Sequence, residues 1–252
     1  MNPLAQTTCS AMGLDALGLA SWVRGTAAKK ASPSEVLAMA ESYGLHPLSL
    51  AVAPRARSGW DREFREENRN FWQWLGGDPT WLEMIQGAGL RLRDGWMGTL
   101  PEGLVVPSLD LCRLHHPLRL PADLWASTLR IYRCPWMEQM PLLSWVNDLE
   151  LIDLANLREV DMGYDLGYLA IGSCPMLRTL GGKLRVDYLD LASCKAFEAL
   201  PKDLICKAWD LHALPALQTF PDVMPTEETT MRWEDGSGWT SRRSFIVTDA
   251  AQ

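Results

Sequence analysis

The sequence predicts an α/β-solenoid of stacked turns with an N-terminal helical cap, and three observations lead to this class. Residues 100–220 repeat every twenty positions without insertion or deletion. Each block combines the alternating apolar pattern of one short strand with an extended stretch that often contains proline. Residues 31–88 carry helix start and stop signals instead of the repeat. We therefore expect four segments: a flexible 1–30, a helical cap 31–98, six repeats over 99–221 and a terminal hairpin in 222–252.

Columns of apolar residues define the repeat, with positions counted from the first residue of each block. Positions one, seven, ten, twelve and fifteen are apolar or cysteine in all six blocks. Position ten reads Leu109, Leu129, Leu149, Leu169, Leu189 and Trp209, and position twelve reads Leu111, Ile131, Leu151, Ile171, Leu191 and Leu211. Positions ten and twelve lie on one side of a strand, so we expect them to face the core.

A single block is too small to fold alone. About six inward side chains, at roughly 1.5 to 3 kcal/mol each, do not offset the ordering of twenty residues at about 1 to 2 kcal/mol apiece. Neighbouring blocks must therefore stack. Proline at position two removes an amide donor and predicts an extended return segment in the blocks with Pro101, Pro121, Pro141 and Pro201.

The run 180–204 resembles a leucine-rich repeat. The resemblance rests on Val186, Leu189, Asp190, Leu191, Cys194, Phe197, Leu200 and Pro201. The opening "LPxxL" at Leu100, Leu120 and Leu200 is similar to the short bacterial type of that family. The resemblance to this family covers about half of the chain, and it implies parallel strands with a concave face that holds other macromolecules.

Some blocks depart from the family pattern. Asp161 and Gly181 replace the proline at position two, and Ser144 and Tyr164 replace leucine at position five. We expect the third turn to be distorted.

Helix signals divide the segment before the repeats. Ser32, Pro33 and Glu35 form a capping-box start for a first helix that closes at Gly44. A second helix is predicted from about Trp60 to Leu75, and a short third one from Asp78 and Pro79 to near Gly87. Leu90 and Leu92 then resemble an incomplete first turn.

The C-terminal segment predicts a hairpin that closes the array. Thr229 to Trp233 falls where the next strand is due, and a turn-rich stretch follows it. Trp239 and the run 245–247 form the second half of this predicted hairpin.

Composition favours a cytoplasmic protein without a membrane partner. No apolar run approaches the roughly eighteen residues that a membrane span requires. Residues 1–10 lack the basic start of a Sec-type signal. Cys134, Cys174 and Cys194 share position fifteen, which predicts buried, reduced thiols and not disulfides.

The charge distribution argues against a nucleic-acid partner. Residues 1–98 carry ten basic and ten acidic side chains, 99–221 carry eleven and fifteen, and 222–252 carry three and six. Nucleic-acid phosphates require a basic stripe, whereas an acidic surface favours a basic protein partner.

Motifs for catalysis, cofactors and metals are absent from the sequence. HExxH, GxxxxGK[ST], GxSxG and GxGxxG do not occur. Cys112, His115 and His116 resemble half of a metal site, but no second half exists. Some bacterial relatives of the family carry a ubiquitin ligase with a Cys-x-Asp site, and no cysteine here has that context. We therefore expect no enzyme activity, cofactor or metal.

Positions eight, nine, eleven and thirteen should project from the concave face, where acids accompany tyrosines. The predicted binding residues are Asp148, Glu150, Tyr168, Asp187, Tyr188, Asp190 and Asp210. The leading hypothesis is a non-enzymatic module that binds a basic protein. Two alternatives stay open: a bacterial effector delivered into a host cell by a dedicated secretion system, and an enzyme with its site in 31–98.

Overall fold

The computed structural model describes residues 2–27, 31–53, 62–140, 143, 145–161, 165–181, 183–222, 225, 229–232 and 238–241. The chain forms two compact units. The first comprises Met1–Arg130 with Leu143–Val146, and the second comprises Ile131–Leu142 with Asn147–Gln252. The predictions at Trp60, Ser144, Tyr164 and residues 245–247 lie outside the described residues.

The first unit begins with five helices. Their bounds are α1 Pro3–Met12, α2 Ala16–Ala27, α3 Pro33–Ser42, α4 Pro47–Val52 and α5 Arg62–Trp74. The capping box of α3 forms as the sequence predicts, because the Ser32 hydroxyl accepts from the Glu35 amide and the Glu35 carboxylate accepts from the Ser32 amide. Gly44 follows α3 in the left-handed conformation, at φ 66°.

Residues 2–27, predicted as flexible, instead form α1 and α2. The Asn2 side chain caps α1, and Gly13 ends it at φ 63°. Helix α2 buries Ala16, Leu19, Ala20 and Val23, which recur at helical spacing. These small and apolar side chains pack against α3 and α4, and this tertiary burial stabilises helices with weak local signals.

The predicted third helix is also shorter than expected. Only Pro79–Trp81 form a single 3₁₀ turn, capped by Asp78. Residues 82–84 continue in turns; Ile85 then bridges Leu90, and the Arg91 amide donates to the Met84 carbonyl at 2.9 Å. This contact supplies partners to the outer edge of the first strand, an edge that otherwise exposes backbone groups.

Arg24 is fully buried at the centre of the helical part. Its Nη1 donates to the carbonyls of Leu50, Ala51 and Ala53 at the end of α4, and to Asn68 of α5 at 2.6 Å. The guanidinium also lies 4.9 Å above the centre of the Phe71 ring. Arg24 therefore ties α2, α4 and α5 together through carbonyls that a helix end leaves without partners.

The helices pack onto the first repeat strands. Strand β1, Gly89–Leu92, pairs in parallel with β2, Val105–Cys112, with Leu90 opposite Leu109. Helices α2 and α4 contact β2, and the Ser49 hydroxyl accepts from the Val105 amide at 2.9 Å. A Cβ added at Gly103 would lie 2.5 Å from the Gly44 carbonyl, so this close approach requires glycine.

Each of the six repeats contributes one strand, which confirms a parallel-strand solenoid of about six turns. After β2 come β3 Trp125–Tyr132, β4 Trp145–Ile152, β6 Leu166–Gly172, β8 Arg185–Ala192 and β9 Ile205–His212. In the second unit, β4, β6, β8 and β9 pair in parallel, and Leu149, Leu169, Leu189 and Trp209 lie in register. The twenty-residue period is thus the register of the sheet.

The described part of the C-terminal segment continues this sheet. Strand β10, Thr229–Arg232, pairs in parallel with β9. Strand β11, Gly238–Ser241, pairs antiparallel with β10. The two strands have the hairpin geometry that the sequence predicts here.

A second, shorter array runs along the other side of the second unit. Strands β5, Glu159–Asp161, and β7, Thr179–Gly181, pair in parallel. At Ala199, directly before the block that opens with Leu200 and Pro201, pairing shrinks to isolated bridges with Thr179 and Thr219. The absence of proline at Asp161 and Gly181 explains the difference, because only those residues keep the amide of position two.

Position fourteen has the same unusual backbone in all six repeats. Arg113, Arg133, Asp153, Ser173, Ser193 and Ala213 have φ between 51° and 60°. In the second unit the amide of position fourteen donates to the position-thirteen carbonyl of the next turn, as from Ser193 to His212 at 2.9 Å. The left-handed residue therefore extends the parallel ladder by one bond per turn.

The apolar columns form the core, as predicted. Positions seven, ten, twelve and fifteen are buried in all six repeats. The thiols of Cys134, Cys174 and Cys194 each donate to the position-thirteen carbonyl of their own turn at 3.4 Å. All six cysteines are free thiols. Among the described residues, no helix is both long and apolar enough to cross a membrane.

Candidate functional site

The open face is the side of the second unit's main sheet that carries positions eight, nine, eleven and thirteen. Most side chains at these positions are half-buried or exposed, whereas positions ten and twelve are buried. The strand alternation predicted from the sequence is therefore confirmed. Ala170, Gly172 and Ala208 are buried exceptions, and all three are small residues.

Position nine forms a row across the open face, with two tyrosines at its centre. Asp148, Tyr168, Tyr188 and Ala208 occupy successive strands in register. The rings of Tyr168 and Tyr188 are stacked, with centroids 5.8 Å apart and an interplanar angle of 24°. Tyr188 is 40% exposed. The row thus presents a stacked aromatic pair that ends beside the methyl group of Ala208.

Position eleven forms a parallel row of acids. Glu150, Ala170, Asp190 and Asp210 lie in register on successive strands. Asp190 and Asp210 are both half-buried and stand side by side, at the strand spacing of about 4.8 Å. Among the described residues, neither carboxylate forms an ion pair. Two like charges therefore share a partly desolvated position.

The electrostatics of Asp190 reflect this arrangement. Burial raises the pKa of Asp190, and the neighbouring Asp210 carboxylate raises it further. The Tyr168 hydroxyl, which donates to Asp190 at 3.5 Å, and the nearby His212 oppose that rise in pKa. The ionised form of Asp190 is thus less favoured than in water.

Tyr168 belongs to the position-nine row, and its hydroxyl reaches the acid row at Asp190. Burial raises the pKa of Tyr168 to about 12, with further contributions from Asp190, Glu150 and Tyr188. Its hydroxyl therefore stays protonated at neutral pH and acts as the donor to Asp190. Tyr168, Tyr188, Asp190 and Asp210 form one contiguous group, which we name the tyrosine–acid patch.

The remaining predicted site residues have other local partners. Asp187 is salt-bridged to Lys207 at 2.7 Å, and both side chains are more than half exposed. Asp148 accepts from the side-chain amide of Asn147 at 2.6 Å. Glu150 accepts a hydrogen bond from the Tyr132 hydroxyl. The seven predicted residues share one face, but only four of them form the patch.

Sequence reasoning missed three side chains that tune this face. Tyr132 binds Glu150, Lys207 compensates Asp187, and His212 lies near Asp190. Their repeat positions, eight for Lys207 and thirteen for Tyr132 and His212, already placed them on the face. The repeat positions do not show which of these side chains contact one another on adjacent strands.

The corresponding face of the first unit has balanced charges. Asp110 lies 3.1 Å from Arg91 and 3.6 Å from Arg130, and it also accepts from Ser108. At position six, Trp125 and Trp145 stack with centroids 4.2 Å apart. At position eleven the first unit therefore pairs its acid with basic side chains, whereas the second unit places Asp190 beside Asp210.

Candidate metal ligands among the described residues do not gather into a metal site, and a buried thiol has a raised pKa. Within the described ranges, no group of three or more His, Cys, Asp or Glu side chains is placed to hold a metal ion. Cys112 ends β2 half-buried, and His115 and His116 are exposed in the following turn. Burial raises the pKa of the Cys206 thiol to about 11, which disfavours the reactive thiolate.

Comparisons with known proteins give no family assignment. No family model matches the chain, and no curated protein or solved structure matches it either.

Proposed function

We propose that the chain is a non-enzymatic leucine-rich-repeat module that binds another protein through the open face of the second unit. The observation that carries this proposal is the tyrosine–acid patch, in which two half-buried carboxylates without an ion pair adjoin stacked tyrosines. A partner with a basic surface complements this patch in charge. Tyrosine supplies broad contact area at low cost in rotamer entropy.

Folding alone does not account for the acid pair. Like charges on adjacent strands destabilise a sheet, and partial burial adds to the cost. Local rules are most often broken at functional sites, where binding offsets a cost to stability. Asp110 shows the alternative within the same repeat family, since the same position there is neutralised by two arginines.

The helices of the first unit fit the role of an N-terminal cap in this proposal. Helices α2 and α4 contact β2, and Met84 and Gln86 bond to the outer edge of β1. Such covers keep the apolar faces and strand edges of terminal turns from water. The helices are thereby assigned to stability and not to catalysis.

The open face is small compared with a standard interface. The four repeat strands of the second unit at about 4.8 Å and a width of about 10 Å give roughly 190 Å², against about 800 Å² per partner in a stable complex. Tight binding therefore requires contacts beyond the open face. The patch then acts as the specific centre of a larger contact.

Affinity purification tests the proposal. The tagged chain and an Asp190→Asn/Asp210→Asn variant are exposed to lysate of the source cell, and bound proteins are quantified by mass spectrometry. We expect proteins that the unmodified chain retains and the double variant loses. Asp203→Asn is the matched control, because Asp203 is an exposed acid in a turn outside the open face. Equal recovery of every bound protein by all three chains would contradict the proposal.

A further inference from the structure

The order of the rows on the open face indicates which basic group the patch accepts. We infer that the partner inserts an arginine side chain from an exposed loop, stacked beside Tyr188 and hydrogen-bonded to Asp190 and Asp210. The inference rests on the proposed function, because it names the chemistry that the same patch recognises. Three features of the described residues support it.

The first feature is a need for donors. Asp190 has one hydrogen bond from the described residues, the 3.5 Å contact from Tyr168. Asp210 buries Oδ1 without any hydrogen-bond partner there. Buried polar atoms are nearly always satisfied, and a charged acceptor is the most costly one to leave without a donor. An incoming group must therefore supply several N–H donors at this point.

The second feature is the direction of the aromatic row. The rings of Tyr168 and Tyr188 stack along the row, and the next residue in register is Ala208. Ala208 contributes only a buried methyl group, so its own side chain does not reach the height of the rings. A flat group placed above Ala208 would continue the stack by one strand. Asp190 and Asp210 stand two residues further along the strands that carry Tyr188 and Ala208.

The third feature distinguishes guanidinium from ammonium. A guanidinium is planar, stacks on aromatic rings and carries five donors in a fixed fork, whereas ammonium is a compact and strongly hydrated point charge. The guanidinium donors diverge within one plane, so different donors can reach two carboxylates about 4.8 Å apart. A lysine would satisfy the charge but not the stack. The geometry therefore selects arginine over lysine.

Neighbouring side chains leave access for a loop. On β6 and β8, the small residues Ala170, Gly172 and Ala192 border the acid pair, and none of them extends beyond a methyl group. On the other side of the pair, His212 follows Asp210 by two residues and Thr230 pairs with Asp210. At position eight, Asp187 and Lys207 neutralise one another and add no net charge. Asp148 and Glu150 also carry negative charge on this face, but each accepts a hydrogen bond from a neighbouring side chain, whereas Asp190 and Asp210 lie side by side.

NMR titration with short peptides tests the inference directly. The probes are the blocked peptide acetyl-Gly-Arg-Gly-amide, its lysine counterpart and free L-arginine, each added to the ¹⁵N-labelled full chain. We expect saturable shifts at the amides of Ala170, Asp190 and Asp210 with the arginine peptide. Its affinity should exceed that of the lysine peptide at least about threefold. Free arginine should also bind, because it carries the same guanidinium while its α-ammonium and α-carboxylate offset one another in charge.

Variants separate the patch from general acidity. Asp190→Asn and Asp210→Asn should each weaken the arginine peptide by about three- to tenfold. Asp203→Asn should change the affinity less than about twofold, because Asp203 is exposed in a turn outside the open face. Unchanged spectra outside the patch verify the fold of each variant. Equal binding of the two peptides would overturn the inference, as would equal losses in all three variants.

The two proposals fail separately. If the Asp190→Asn/Asp210→Asn variant loses partner capture but the arginine and lysine peptides bind equally, the proposed interaction surface is supported and the preference for arginine is contradicted. Selective arginine binding without any partner lost from the variant would remove the interaction function instead.

Discussion

Replacing Asp190 with asparagine should stabilise the protein at neutral pH. The substitution removes the negative charge beside Asp210 while the asparagine oxygen still accepts from Tyr168. At a separation of about 4.8 Å, two unit charges repel by about 0.9 kcal/mol in water and by about 3.5 kcal/mol at an effective dielectric constant of 20. Both carboxylates are only half-buried, so solvent screening favours the lower end, about 1 kcal/mol.

The pH dependence follows from the direction of the shift. The pKa of Asp190 is raised in the folded chain, so the folded state binds its proton more tightly than the unfolded state does. Below the ordinary aspartate pKa, near 3.9, wild type and variant should therefore have equal stability. As pH rises through the folded-state pKa, the wild type loses stability that the variant keeps.

Urea unfolding followed by circular dichroism measures this difference. We expect a higher midpoint for Asp190→Asn at pH 7.5 and equal midpoints near pH 3. Asp187→Asn is the control, since its exposed pair with Lys207 should contribute less than about 0.5 kcal/mol. A lower midpoint for Asp190→Asn at pH 7.5 would refute the view that the acid pair is electrostatically costly.

Four further predictions test other parts of the structure. Arg24→Met should lower the free energy of unfolding by about 3 kcal/mol, because it leaves buried carbonyls without donors; a loss below about 1 kcal/mol in urea unfolding would contradict that role. Because Ser193 has φ 56°, Ser193→Gly should keep or raise the free energy of unfolding measured in urea, and Ser193→Val should lower it by about 1 to 2 kcal/mol. The reverse order of the two variants would contradict a left-handed residue at this position. A thiol reagent should modify one cysteine quickly, the half-buried Cys112, and all six only in denaturant; rapid reaction of several native thiols would be inconsistent with the buried column. In an ultraviolet pH titration, the tyrosinate signal lost on Tyr168→Phe should appear near pH 12, and its appearance near pH 10 would exclude the buried hydroxyl.

The solenoid was predictable from the sequence because the period and the register are the same quantity. Leu149, Leu169 and Leu189 are twenty residues apart, and they pair directly across strands. Alternation within each strand then decided which positions are buried. Both inferences need only the geometry of an extended chain.

The N-terminal helices were not predictable in the same way. Helix α2 buries Ala16, Leu19 and Ala20 against α3 and α4, so its stability comes from tertiary contacts that local propensity does not encode. An arginine is ordinarily expected at the surface, yet Arg24 is buried, and its guanidinium donates to carbonyls that only the folded α4 presents. The same limit applies to the short helical turn at Pro79–Trp81, where pairing with β1 replaces a longer helix.

The candidate site was half predictable. Repeat positions placed Asp187 and Asp190 on one face, but they did not distinguish a paired acid from an unpaired one. On the adjacent strands β8 and β9, Asp187 forms a salt bridge with Lys207, whereas Asp190 lies beside Asp210. The choice depends on side-chain direction and cross-strand neighbours, which a list of exposed positions does not contain.

The register of the second unit is the basis of the tyrosine–acid patch, and NMR measures it most directly. Nuclear Overhauser effects between the backbone protons of paired strands should link Tyr168 with Tyr188, Leu189 with Trp209, and Asp190 with Asp210, at a constant offset of twenty residues. Contacts at any other offset, or none between β8 and β9, would separate Asp190 from Asp210 and contradict the account.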